Sequence, residues 1–313
     1  MKKAITIFTP TYNRAYCLGK CYKSLQQQKN KNFVWLIIDD GSTDDTNQLV
    51  KKWIQETTDF EIRYIYKKNG GMHTGYNTAY ENIDTELCMN VDSDDYLTPT
   101  AISDILTFWN ENKRKDVGGI YALDCFEKGE VVGQPFPEEL KEFHGWGCKR
   151  IYYTNAKGRK KYTKVYGDKK FIGVTDIINQ YPPFPVFEGE KYYQLYHKQH
   201  LIERDYTILI YNKPVCVVEY MQDGSSKNMF NQYFNNPKGF AHARKYVMEN
   251  APWLMMRFVA AIHYVAESTI AQNKHFIKEC PKKALVMFAF IPGKILYHYI
   301  MFNVRNKQGR MKI

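Results

Sequence analysis

The run Asp92-Ser93-Asp94-Asp95 packs three carboxylates into four residues, directly after the apolar stretch 87–91. Negative charges that close repel one another unless a cation sits among them. A hard divalent ion with oxygen ligands, Mg or Mn, relieves the repulsion and is suited to bridge to a diphosphate. The same residues also suit a capped turn ahead of a helix near Pro99, because Asp is common in turns. Taken alone, the run leaves both readings open.

Three other polar runs carry chemistry of the same kind. In Asp39-Asp40-Gly41-Ser42-Thr43-Asp44-Asp45-Thr46 the glycine permits a tight turn and the hydroxyls can cap a helix. The Asp40 carboxylate in that run is placed to accept the N3 hydrogen of a uracil or to bond a ribose. Thr9-Pro10-Thr11-Tyr12-Asn13-Arg14 offers a ring that can stack on a nucleobase and a guanidinium that can meet phosphate, or simply a turn with a partly buried Tyr. Asn69-Gly70-Gly71-Met72-His73 has the form of a weak phosphate loop that opens a helix.

The elements that must position these runs are legible around them. Strand patterns fall at 4–9, 33–38, 62–66, 87–91 and 119–123, and helical patterns at 17–28, 44–55, 74–82 and 100–112. Strand and helix in alternation predict an α/β fold, a Rossmann-like, mostly parallel sheet with helices on both faces. In such sheets ligands bind beyond the carboxyl ends of the strands, so the four runs are expected to converge. Thr43 or Asp44 is expected to cap the second helix, and Pro99 to sit in the first turn of the fourth.

Beyond residue 125 the pattern loosens into a basic, Tyr-rich passage from Lys149 to Lys170, read as a solvated loop or as a surface for a lipid diphosphate. Residues 186–250 supply Glu188 and Glu190, a helix through His200, and a strand pair near Ile208 and 215–220. The region after Pro252 reads as helical, and no acid follows Glu279. Its apolar runs 284–291 and 295–302 are broken by Pro292-Gly293-Lys294, which makes a poor membrane span, since a span needs about 20 apolar residues. An interfacial helix or helical hairpin fits better, with Arg305, Lys307, Arg310 and Lys312 on anionic headgroups.

A net charge of +11 on 313 residues calls for an anionic partner. Nucleic acid is not expected, because acids gather where the strands end and would repel a polyanion. Seven cysteines without a Cys-x-x-Cys pair read as reduced core thiols, which, with no signal peptide visible, predicts a cytoplasmic protein.

Together, in this order and spacing, the four runs resemble the family 2 glycosyltransferases of the GT-A fold, over about the first 125 residues. The resemblance implies that Tyr12 and Asp40 hold the base, that Asp94 is the direct metal ligand and that Asp92 approaches the ribose or the metal. Thr9, Arg14, Gly71, His73, Asn77 and Ser93 complete the implied donor set. It implies transfer of one sugar from a nucleotide sugar, a UDP-sugar by preference, to a glycan or lipid-linked acceptor by inverting displacement. The general base is then an acid of the second half. The family's Glu-Asp pair is here Glu190-Lys191, so Glu190 is the first choice and Glu188 the reserve.

On this reading residues 1–125 bind the nucleotide sugar, 126–250 bind the acceptor, and 251–313 form a basic helical tail in contact with the inner face of the cell membrane. The processive synthases' Gln-x-x-Arg-Trp motif is absent, which favours single-sugar transfer. Two alternatives fit the residues less well. A sugar-phosphate nucleotidyltransferase would carry a Gly-rich basic loop where Thr-Pro-Thr-Tyr-Asn-Arg stands, and a basic membrane-surface binding protein would leave the strand-end acids unexplained.

Overall fold

Runs rich in Ile, Val, Phe and Trp form the strands, and amphipathic runs between them form the helices. A computed structural model describes residues 3–146, 150–154, 157–219 and 229–310. The first half runs β1 (Ile5–Thr11), α1 (Leu18–Gln26), β2 (Phe33–Asp39), α2 (Thr46–Glu56), β3 (Glu61–Tyr66), α3 (Met72–Asn82), β4 (Leu87–Asn90), β5 (Tyr96–Leu97), α4 (Ala101–Asn112) and β6 (Val117–Cys125). There follow β7 (Glu142–Phe143), β8 (Arg150–Thr154), β9 (Lys160–Lys164), β10 (Lys169–Val174), α5 (Thr175–Ile178), α6 (Tyr196–Asp205) and β11 (Thr207–Val217). The chain ends in helices α7 (Met229–Asn235), α8 (Pro237–Asn250), α9 (Leu254–Ile270), α10 (Phe276–Glu279), α11 (Lys283–Phe288) and α12 (Phe290–Arg310).

Packing divides the chain into two compact units, one of residues 1–183 and 198–221, the other of 184–197 and 222–313. They are cut differently from the regions 1–125, 126–250 and 251–313 expected from the sequence, which concern what is bound rather than what packs. In the first unit, among the described residues, nine strands form one sheet in the order β3-β2-β1-β4-β10-β6-β11-β5, with β7 on β11. The β3-β2-β1-β4 half is parallel, whereas β10 runs antiparallel between β4 and β6.

Alternation along the strands sends residues to opposite faces. Ile5, Ile7, Phe33, Trp35 and Ile37 pack with residues of α1, α2 and α4 such as Leu18, Val50 and Ile105. Trp35, fully buried, stacks near Tyr22 and Trp53, a burial that contributes about 1.5–3 kcal/mol for a side chain of this size. On the opposite face Phe8 meets Tyr76 and Tyr80 of α3. Helices on both faces are therefore present, and the predicted strands and helices of the first half fall within a few residues of their places.

Several expectations are corrected. Pro99 stands ahead of α4, whose cap position is Thr100, rather than in its first turn. The strand pair near Ile208 and Val215 is one strand, β11, kept continuous across Asn212-Lys213-Pro214 by shifts in its register with β6. The basic passage is no plain loop: β8 and β9 pair as a hairpin and β10 enters the middle of the large sheet. Lys149 lies outside the described residues. The interruption at Pro292 does not turn the tail into a hairpin. Helical bonds carry through it, Ala289 N–H to the Leu285 carbonyl and Gly293 N–H to the Ala289 carbonyl. Pro292 only withholds the N–H that the Phe288 carbonyl would accept, which places the break between α11 and α12 at Ala289.

The second unit is helical. Ala241, Met248, Ala260, Ala261, Tyr264, Val265, Cys280 and Val286 form its core. Gly293 of α12 lies so close to α9 that a Cβ would come within 2.5 Å of Val265 and 2.9 Å of the Ile262 carbonyl. No helix among the described residues is long and apolar enough to cross a membrane. The six described cysteines are buried.

Candidate functional site

The ends of β1, β2, β3 and β4 lie side by side because those strands are parallel and in register, with Thr11 opposite Asp39 and Asp39 opposite Tyr66. Topology alone therefore brings the polar runs at residues 11–14, 39–45, 67–73 and 92–95 to one edge of the first unit. Side-chain bonds then lock them together.

Asn13 does the first part of this. It sits in the left-handed region at φ 53°, which Asn tolerates better than most residues. Its backbone N–H donates to Ser42 Oγ at 2.8 Å, and its Oδ1 accepts the Thr43 N–H at 2.8 Å. Tyr12 beside it is 48% exposed, a ring presented at the edge rather than buried in a turn. The Arg14 guanidinium lies over the Tyr16 ring at 5.7 Å. Thr9 is buried, and its hydroxyl accepts the Trp35 indole N–H at 3.0 Å, so that side chain supports the loop from below. The cap position of α2 is Asp45 rather than Thr43 or Asp44, and Asp44 accepts the N–H and hydroxyl of Thr46 from just ahead of it.

Asp40 does the second part. Its Oδ1 accepts Lys67 Nζ at 2.6 Å and the Gly70 N–H at 2.9 Å, and its Oδ2 accepts the Gly71 N–H at 2.7 Å and Asn69 Nδ2 at 3.2 Å. Four donors fill the carboxylate's four acceptor positions. In this state Asp40 organises the glycine loop, and a nucleobase hydrogen reaches it only by displacing one of those donors. Gly71 takes φ 90° at the start of α3, a conformation that favours glycine. His73 is buried one turn before Asn77 on that helix, and burial holds its pKa below the ordinary histidine range, so the imidazole is neutral. Lys67 and Asn69 were missed by sequence reasoning as the groups that bind Asp40. Their place directly after β3, opposite the end of β2, was the available signal.

The run from Asp92 to Asp95 closes as a tight turn, with the Asp95 N–H on the Asp92 carbonyl at 3.0 Å. Asp92 accepts Asn90 Nδ2 at 3.0 Å, and both Asp92 and Asp94 are half-buried. Asp95 turns inward. Its Oδ2 lies 3.8 Å from the buried Nζ of Lys170, which is 3.7 Å from Asp124 on the neighbouring strand. Burial pushes the carboxyls of Asp95 and Asp124 up, and the lysine opposes the rise in both. The two acids in turn keep Lys170 protonated despite its own burial. A metal held by this edge would rely on Asp92 and Asp94 plus ligands from outside the protein. Among the described residues no group of three or more His, Cys, Asp or Glu is placed to hold an ion. Two hard carboxylate ligands with open positions suit a Mg or Mn ion that shares its remaining coordination with phosphate and water.

In the second unit Glu190 is buried, and its two oxygens accept the Lys238 and Gly239 N–H groups at 2.8 Å each. It thus caps the start of α8, a favoured place for a carboxylate. Glu188 is exposed on the preceding turn.

A mostly parallel sheet with helices on both faces, whose strand-end loops carry an exposed ring, a glycine loop and clustered acids, defines an α/β class. The model of the glycosyl transferase family 2 matches residues 6–173, more than half of the chain, and the chain belongs to that family. It is 38% identical over 149 residues to an uncharacterized glycosyltransferase of Rickettsia conorii, a match over 44% of this chain and 24% of that one. The chain spans a quarter or less of the length of the first three curated relatives it matches. Two solved structures share the fold. One is the 1–349 segment of TarS from S. aureus with UDP-GlcNAc (TM-score 0.58, 17% identity, 97% of this chain and 92% of that one). The other is the mannosyltransferase PcManGT from Pyrobaculum calidifontis with GDP-Man and Mn2+ (TM-score 0.54, 16% identity, 94% and 87%).

Proposed function

We propose that the chain transfers one sugar from a nucleotide-sugar donor, a UDP-sugar by preference, to a hydroxyl of a glycan or lipid-linked acceptor, with inversion at the anomeric carbon. The observation that carries this reading is the convergence of four chemically matched runs on one edge of the parallel sheet. Tyr12 stacks on the base. Asp40 receives its edge by giving up Asn69, the longest of its four contacts. Arg14 and the start of α3 at Gly71 face the phosphates, and neutral His73 with Asn77 lines the sugar side. Ser93 and Asp92 meet the ribose, while Thr9 holds the Tyr12 loop from beneath.

A divalent cation on Asp94, with Asp92 assisting, would neutralise the departing diphosphate. The acceptor oxygen bonds to the anomeric carbon as the bond to the diphosphate oxygen breaks, and the hydroxyl proton passes to a glutamate of the 188–190 turn. Glu190 was the first choice from sequence. Its commitment to the α8 cap moves Glu188 ahead of it, with Glu190 as the positioning residue. We further propose that the enzyme works in the cytoplasm in peripheral contact with the inner membrane face, a reading supported by a net charge of +11 that favours anionic lipid.

The direct test is transfer or hydrolysis assayed over UDP-, GDP- and dTDP-sugars with Mn or Mg. Asp94→Ala is expected to lose at least about a hundredfold in kcat, the scale of removing electrostatic stabilisation of a leaving group. Unaltered activity in that variant would sink the metal assignment. Glu188→Gln should lose transfer by about 10²–10⁴-fold while keeping donor affinity. Full transfer by Glu188→Gln, together with loss in a well-folded Glu190→Gln, would return the role to Glu190.

A further inference from the structure

Helix α12 is apolar on two opposite sides. One row, Gly293, Ile300 and Val304, is buried and continues back through Ala289, between the helices, and Val286 of α11. The other row lies about half a turn of the helix away, at Ile291, Ile295, Tyr299 and Phe302, and continues back through Phe288 and Met287. Each of these six side chains is more than half exposed, Phe288 at 79% and Ile291 at 72%. The spacing of i, i+4, i+8 and i+11 keeps the row on one face. Hydrogen bonding continues across Ala289, so the row passes from α11 into α12. A contiguous apolar surface of this kind on a charged protein marks a contact site.

Basic residues frame the row. Lys283 is exposed one turn before Met287, Lys294 adjoins Ile295, and exposed Arg305 follows Phe302 by one turn. No acid occurs after Glu279 to neutralise them. We propose that this outer face of α11 and α12 is an interfacial surface that lies flat on an anionic lipid bilayer. The six apolar side chains enter the acyl boundary while Lys282, Lys283, Lys294 and Arg305 meet the headgroups. A second copy is the poorer occupant, because a two-fold contact through this face would set the same cations against one another. The proposal deepens the peripheral membrane contact proposed above and rests on it, adding which surface makes that contact.

The test uses the full chain and vesicles of phosphatidylcholine alone or with about one third phosphatidylserine. The expected result is cosedimentation with the anionic vesicles only, weakened by salt. Ile291→Asp/Ile295→Asp should lose vesicle binding at least tenfold with unchanged circular dichroism and donor hydrolysis. Lys282→Gln/Lys283→Gln should lose about fivefold per charge, from roughly 1 kcal/mol per lysine at the surface. As a second readout that does not depend on loss, Phe288→Trp should be quenched by lipids brominated in their acyl chains. Wild-type-level vesicle binding by Ile291→Asp/Ile295→Asp, with no Phe288→Trp quenching, overturns this surface and leaves the membrane reading standing. A wild-type chain that ignores anionic vesicles overturns both. A dimer in sedimentation that Ile291→Asp abolishes, without lipid binding, identifies a second copy and also overturns the proposal.

Discussion

Lys170 is the residue on which the acidic turn depends and the one least visible in the sequence. In Gly167-Asp168-Lys169-Lys170 it reads as one more cation of a basic passage, and only the non-local pairing of β10 with β4 and β6 buries it between Asp95 and Asp124. By contrast the places of Tyr12 and Asp40, directly after β1 and β2, and of Asp92 and Asp94, in the turn after β4, were legible, because the pattern of those strands is local. Lys170→Met leaves two buried carboxyls without their cation, and should cost about 3–5 kcal/mol. Those carboxyls then titrate well above their unfolded values. The folded variant binds more protons than its unfolded chain, so its deficit should shrink as pH falls, which urea midpoints at acidic and alkaline pH would reveal. A deficit equal at both would remove the charge argument. Histidine works in the opposite sense: burial lowers the pKa of both His73 and His242. Between those lowered values and the ordinary value of about 6.5 the unfolded chain holds more protons, so stability should drop as pH falls through that window. His73→Asn should flatten this part of a Tm-against-pH curve.

Among the elements, helix starts and strand limits of the first half could be read because apolar period and turn chemistry agree there. They could not be read where long-range contacts decide. From sequence Glu190 was the first choice of general base, yet its partners are the N–H groups of α8, 48 and 49 residues away. A cap with that sequence separation leaves no local trace. Glu190→Ala should destabilise the second unit by about 0.5–2 kcal/mol, as cap removals do, which a thermal melt would register even in the absence of donor. The single strand β11 was likewise mistaken for a pair, since Asn212-Lys213-Pro214 has turn composition. The irregular register with β6 absorbs the proline there.

At the scale of the whole molecule, the chain leaves the first unit after residue 183, returns at 198 and leaves again after 221. No single cut separates the two units. A chain ended at residue 221 would keep Phe184 and Tyr193, buried at 3% and 2% exposure in the 313-residue chain, but would lose helix α8, which carries the Tyr193 partner His242. Such a truncation should aggregate in size-exclusion chromatography, and a monodisperse product would show that residues 184–197 pack without α8. The same interleaving sets a delay during synthesis. Glu190 leaves the ribosome 48 residues before Lys238, so at about 5–20 residues per second it waits about 2–10 s for the backbone it caps. Through that interval the segment holding the two candidate acids is nascent chain that has yet to meet the helix it caps.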